Sequence, residues 1–128
     1  MIEISVKTYL RKEVHEATLK YFNGDELATE VWINKYCLKD SDGNLFEKTP
    51  EDMHRRLAKE FARIEAKYPN PLSEDEIFET LDHFKRIIPA GSPMSGIGND
   101  FQIVSLSNCF VIGNEIDSDS YGGIMKLD

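Results

Sequence analysis

The side chains best suited to redox, nucleophilic or metal chemistry in this chain are two cysteines, Cys37 and Cys109, and three histidines, His15, His54 and His83. The cysteines lie far apart, with no Cys-x-x-Cys pair and no Cys/His spacing of the zinc-site kind, so neither a structural zinc site nor a disulfide scaffold is expected. The histidines fall on three separate segments, none at helical spacing from another histidine or a cysteine. Each reads as a solvated or packing residue, and no metal site is expected. Cys109 stands in the apolar, β-prone run Cys109-Phe110-Val111-Ile112. A thiol on a buried strand is either a small hydrophobe or a rigidly held redox group, and spacing alone favours the first. Ser92, Ser107 and Asn108 offer hydroxyl and amide groups, and Asp117, Ser118 and Asp119 form a polar cluster. Taken by themselves these are turn, strand-face and helix-capping residues.

These residues need elements to hold them. Val6, Tyr9, Leu10, Val14, Ala17 and Tyr21 recur at steps of three and four and predict a first helix that Asn23-Gly24 ends. The acids Asp25-Glu26 open a shorter second helix carrying Leu27, Val31, Ile33 and Tyr36, closed near Leu38 before the turn-rich Asp40-Ser41-Asp42-Gly43-Asn44. Thr49-Pro50-Glu51-Asp52 supplies an N-cap, a proline at the first helical position and two first-turn acids ahead of Met53, Leu57, Phe61 and Ile64. Tyr68-Pro69-Asn70-Pro71 breaks that helix, and the capping box Ser73-Glu74-Asp75-Glu76 starts a fourth with Ile77, Leu81, Phe84 and Ile88. Beyond Pro89 the small residues Gly91, Ser92, Pro93, Ser95, Gly96 and Gly98 resist regular structure and mark a domain boundary. Residues 101–112 predict a strand buried on both faces, and Ser118 or Asp119 is suited to cap a helix beginning near Tyr121. The fold class is therefore mainly α: a four-helix domain over residues 1–88, then residues 89–128 as the incomplete beginning of an α/β barrel with one or two strands. A lone strand leaves its edges unpaired, so this tail is expected to be disordered, misassembled or completed by a partner.

Composition narrows the functional classes. With 15 Lys and Arg against 23 Asp and Glu, the net charge of -8 repels phosphate backbones, and no basic stripe offsets it, so no nucleic-acid partner is expected. No apolar run approaches the roughly 18 to 20 residues that span a bilayer. The N-terminus lacks the basic start and apolar stretch of a secretory signal. The chain reads as cytoplasmic, off the membrane, with both cysteines as thiols.

Several motifs, in order, carry a family resemblance: Tyr21-Phe-Asn-Gly-Asp-Glu-Leu-Ala, Lys35-Tyr-Cys-Leu, Glu47-Lys-Thr-Pro-Glu-Asp-Met-His-Arg-Arg-Leu-Ala, Pro89-Ala-Gly-Ser and Leu106-Ser-Asn-Cys-Phe-Val. Together they resemble the opening of ribonucleotide reductase large subunits, the N-terminal helical domain plus the first strand of the catalytic barrel, over about residues 6 to 128. The resemblance implies that Cys109 is the redox-active thiol of that strand. With a second cysteine later in the polypeptide it would become a disulfide at each turnover. It implies that Ser92, Ser107 and Asn108 bind the ribonucleotide substrate, and that Asp117, Ser118 and Asp119 hold a deoxynucleotide specificity effector near a dimer interface. It further implies that the radical-bearing cysteine, the residues that move the ribose protons and the glycine-rich phosphate loops lie beyond Asp128, so this segment alone is expected to be inactive. The upstream ATP-binding cone of many relatives is expected to be absent. No cofactor is expected on this segment; the complete enzyme would use adenosylcobalamin or a di-metal radical subunit. The implied partners are the remaining large-subunit polypeptide, a thioredoxin-type reductant and, when complete, a second copy in a homodimer. The competing function class is a non-catalytic acidic helical interaction module in which Cys109 is incidental.

Overall fold

Each long helix begins where a side chain accepts a backbone N–H at its N-terminal end. Asp25 caps the second helix by accepting the Ala28 N–H at 2.9 Å. The Asp52 carboxylate reaches back to the N–H groups of Lys48 and Thr49 at 2.7 and 3.2 Å to open the third. Ser73 and Glu76 exchange bonds at the start of the fourth, the Ser73 N–H donating to Glu76 at 2.8 Å. The computed structural model describes residues 7–107, 109 and 120–125. These form α1 (Arg11–Tyr21), α2 (Glu26–Lys35), α3 (Pro50–Glu65), α4 (Glu74–Leu81) with a 3-10 turn Asp82–Phe84, α5 (Gly91–Gly96) and the short α6 (Tyr121–Met125).

α1 packs on α2, and α3 packs on α4 and on the 3-10 turn. The core between them holds Val14, Trp32, Ile33, Met53, Leu57, Ala58, Ile77, Phe78 and Leu81, joined by Cys37, Leu45 and Met94 from the connections. Burying a side chain the size of leucine or methionine contributes roughly 1.5 to 3 kcal/mol, so these few residues supply most of the drive to fold. Thr18 and Thr29 are buried too, their hydroxyls donating to the carbonyls of Lys48 at 3.1 Å and Asp25 at 2.8 Å. α1 starts later than the apolar stripe predicts because Tyr9 is in an antiparallel bridge, its N–H donating to the Leu45 carbonyl at 2.9 Å. Val6 lies outside the described residues. After α1, Asn23 and Gly24 take left-handed backbone at φ 54° and 91° and turn the chain into α2.

Two expectations are corrected. The small-residue stretch after Pro89 forms α5 rather than irregular chain: Met94 inserts into the core, and Pro93 sits in the first turn, where its missing N–H costs nothing. The strand expected over residues 101–112 is absent from residues 101–107 and from Cys109; all are exposed, Ile103 completely so. No ladder partner is available to that segment among the described residues, where only the isolated bridges of Tyr9 and Lys39 with Leu45 occur. Residues 108 and 110–112 lie outside the described residues. The expected helix near Tyr121 is present, the Gly123 N–H donating to the Ser120 hydroxyl at 3.0 Å. Ser118 and Asp119 are outside the described residues.

Candidate functional site at α5 and the segment that follows it

A buried ion pair ties α5 to the rest of the domain. Arg56 on α3 donates from Nε to Glu47 Oε1 at 2.7 Å. The other arms of its guanidinium fork donate to the carbonyl of Met94 at 2.9 Å and to that of Ile97. Those carbonyls belong to the last turn of α5 and the residue after it, where a cation is favoured. Glu47 is only 3% exposed and also accepts the Leu38 N–H at 2.8 Å. Burial pushes its carboxyl above the usual range while the Arg56 charge pulls it back. Beside it, the buried Cys37 thiol donates to the Glu47 carbonyl at 3.4 Å. Burial, with the Glu47 charge adding, pushes that thiol up to about 12, so Cys37 is an unreactive packing residue.

Two glycines then bring the following segment onto α5. Gly98 has φ 70°, and a Cβ there would lie 2.8 Å from Arg56 Cγ. Gly96 is approached so closely that a Cβ would lie 2.5 Å from Val104 Cγ2 and 3.0 Å from Leu106 Cδ2. The Asn99 side chain fixes the turn between them, accepting the N–H groups of Phe101 and Gln102 at 2.9 and 3.2 Å. It also donates to the Ser95 carbonyl at 3.2 Å, and Phe101 stacks on Phe46 with ring centres 4.2 Å apart.

Three of the sequence-derived site residues, Ser92, Ser107 and Cys109, lie among the described residues of these stretches. Ser92 is in the first turn of α5 and half-buried. Ser107 lies in the exposed segment just beyond Leu106, its N–H donating to the Ser105 hydroxyl at 3.2 Å. Cys109 is an exposed free thiol. Asn108, Asp117, Ser118 and Asp119 lie outside the described residues.

Sequence reasoning missed a polar cluster at the other end of α4. His54 is fully buried on α3, with neither ring nitrogen hydrogen-bonded. Its Nδ1 is 3.7 Å from Asp82 Oδ1, too long for a hydrogen bond and close enough for charge attraction. Asp82 Oδ1 instead accepts the Tyr21 hydroxyl at 3.1 Å. The available signal was register: His54 falls between Met53 and Leu57 on the core-facing stripe of α3. His15 is partly exposed and 3.0 Å from Glu26, and His83 is exposed and stacked on Tyr21. Among the described residues no three His, Cys, Asp or Glu side chains gather into a metal-binding group, and no helix is long and apolar enough to cross a membrane.

One face of the domain is apolar and open. A groove of about 480 Å³ is lined by Phe61, Leu72, Ile77, Ile87, Pro93 and Ile97 among others. It shares Phe61 and Ile97 with a second groove, of about 470 Å³, that is flanked by Ile64, Ile103, Val104 and Leu106. Phe61 and Ile64, which keep the helical spacing of the α3 apolar stripe, are 40% and 38% exposed on this face.

No curated protein and no solved structure matches the chain. A family model described as ribonucleotide reductase, all-alpha domain, matches residues 22–102. That stretch runs from the turn after α1 through α5 to the start of the exposed segment, covering the buried Glu47–Arg56 pair and Gly96. Because it takes in more than half of the chain, the protein belongs to the ribonucleotide reductase family, as an N-terminal segment of the large subunit.

Proposed function

We propose that this chain contributes the helical domain and the first redox cysteine to an enzyme that reduces ribonucleotides to 2'-deoxyribonucleotides for DNA synthesis. The observation that carries the reading is the family match over residues 22–102. Two structural features support it. Val104 and Leu106, just ahead of Ser107, approach Gly96 on the helix that bears Ser92. The open apolar face around Phe61 and Ile64 is of the kind that the rest of a larger polypeptide would cover.

In the proposed reaction the ribose C2'–OH bond breaks, the oxygen leaves as water and a hydrogen takes its place. Two thiols supply the electrons: Cys109 and a second cysteine of the remaining polypeptide lose two hydrogens and form one disulfide. A thioredoxin-type dithiol then reduces that disulfide by exchange and is itself oxidised. Ser92, Ser107 and Asn108 are assigned to the substrate through hydroxyl and backbone groups. Asp117, Ser118 and Asp119 are assigned to a deoxynucleotide effector in a homodimer. The radical would come from adenosylcobalamin or a di-metal subunit. Alone, the chain is expected to be inactive.

The test is reconstitution. Mixed with the polypeptide that supplies the remaining barrel strands, the chain should form a complex and restore thiol-dependent conversion of ribonucleotide to deoxyribonucleotide. Complex formation without any turnover, under conditions where an unsplit relative is active, would instead favour an acidic helical interaction module.

A further inference from the structure

Three elements meet at one carboxylate oxygen. Asp82 Oδ1, in the turn after α4, accepts the Tyr21 hydroxyl of α1 at 3.1 Å and lies 3.7 Å from His54 Nδ1 of α3. The Tyr21 oxygen in turn accepts the His83 N–H at 2.8 Å, and the two rings stack with centres 4.5 Å apart. Phe84 closes the far side, its ring meeting His54 edge-on at 4.7 Å. His83 and Phe84 are consecutive non-glycine residues in left-handed backbone, φ 52° and 55°. Such a pair persists only where surrounding contacts hold it. Here the holding contacts are the Tyr21 bond and stack on one side and the His54–Phe84 contact on the other.

We propose that this cluster is an acid-operated latch, in which proton uptake by His54 draws Asp82 Oδ1 away from Tyr21 and frees the Asp82–Phe84 turn from α1. A neutral His54 leaves one ring N–H without an acceptor, at a cost the packing tolerates. A protonated His54 is a buried cation, which must find a counter-charge or leave the core. Asp82 is the carboxylate within reach; closing from 3.7 Å to hydrogen-bond distance redirects the same oxygen that Tyr21 now holds. The groups facing the ring act in opposite senses. Asp82 on the turn favours the charge, while His83 beside it and Arg56 on α3 oppose it. Tyr21 on α1 competes for Asp82, and Glu51 on α3 adds negative charge near Tyr21. Burial outweighs the attraction and holds His54 below the ordinary histidine range, so the latch is fastened at neutral pH and opens only on acidification below that range. The freed turn leads into Ile87 and Pro89, which line the apolar groove, so acid would loosen that rim of the open face.

The experiment is an NMR titration of the full chain from pH 8 to 5, following the His54 and His83 ring carbons, the Tyr21 ring and hydrogen exchange at the His83 amide. The Tyr21 ring shift and the His83 amide protection should change together, at the His54 midpoint and not at that of His83, with the midpoint below about 6.5. His54→Gln should abolish the coupled change, and His83→Gln should leave the His83 amide transition in place. Should His54→Gln fail to fold, Tyr21→Phe remains decisive: losing the competing hydroxyl leaves Asp82 free for His54 and should raise its midpoint by roughly 0.5 to 1 unit. The proposal is overturned if His54 titrates while the Tyr21 and His83 signals stay fixed, if the same change survives in His54→Gln, or if Tyr21→Phe leaves the midpoint unmoved.

Discussion

Replacing Glu47 by alanine removes the anion on which the position of α5 depends. Arg56, whose side chain is 10% exposed, would keep its charge and its bonds to the carbonyls of Met94 and Ile97 but lose its counter-ion. The Leu38 N–H, held by Glu47 at 2.8 Å, would lose its acceptor. Breaking a buried pair by deleting one partner costs about 3–5 kcal/mol, and an orphaned buried N–H about 1–3 kcal/mol. The two costs overlap, since water entering the vacated space would serve both groups, so the total should fall near 4 kcal/mol. Equilibrium urea unfolding read by the fluorescence of Trp32, the sole tryptophan and almost fully buried, measures it directly. With a slope of about 1–3 kcal/mol per molar urea, the midpoint should fall by more than 1 M. Glu47→Gln, which retains an oxygen for Leu38, should lose clearly less. The double variant Glu47→Met/Arg56→Met should recover much of the loss, because no unpaired charge remains. A cost below about 1 kcal/mol for Glu47→Ala would show that the pair does not organise the domain, and the reasoning from Arg56 to α5 would fail.

Three further outcomes follow from the same geometry. Alkylation of the native chain should modify Cys109 alone and reach Cys37 only on unfolding, since Cys37 is 3% exposed and its thiol is pushed up to about 12; equal labelling by mass spectrometry would contradict this. Gly98→Ala should destabilise by about 2 kcal/mol, because alanine at φ 70° costs ~1–2 kcal/mol and its Cβ would press on Arg56 Cγ; a change under about 0.5 kcal/mol in the same urea assay would count against the assigned turn. His54 has a lowered folded-state pKa, so the unfolded chain takes up the proton first as pH falls. Stability should therefore drop as pH falls below about 6.5 and level off below the folded-state value, at ~1.4 kcal/mol per unit of separation. His54→Phe should lessen that drop, and an unchanged pH profile would refute the contribution.

Local chemistry was legible where a side chain and its partner lie within one turn of each other. Thr49-Pro50 with Asp52, Ser73 with Glu76, Asp25, and the Asn23-Gly24 stop all do what their spacing predicts. What the pattern could not carry was contact between distant segments. Gly91–Gly96 has poor helix propensity and folds because Met94 reaches the core and Arg56, far upstream, binds its carbonyls. Glu47 reads as an ordinary surface acid until Arg56 and Leu38 surround it. Leu27 and Ile88 keep helical spacing yet are 76% and 71% exposed, and Phe61 and Ile64 face an uncovered groove. Periodicity marks an apolar face without saying what covers it. The family was legible because its motifs recur in order along the chain, and the match over residues 22–102 bears that out. The strand over residues 101–112 requires neighbours that the described residues do not provide.

The redox role proposed for Cys109 is tested most directly by a single turnover in the complete enzyme with no external reductant, followed by alkylation and peptide mapping of the cysteines. One disulfide per deoxyribonucleotide formed, joining Cys109 to a cysteine beyond Asp128, is the predicted result. Deoxyribonucleotide formed while Cys109 remains fully alkylatable would contradict it.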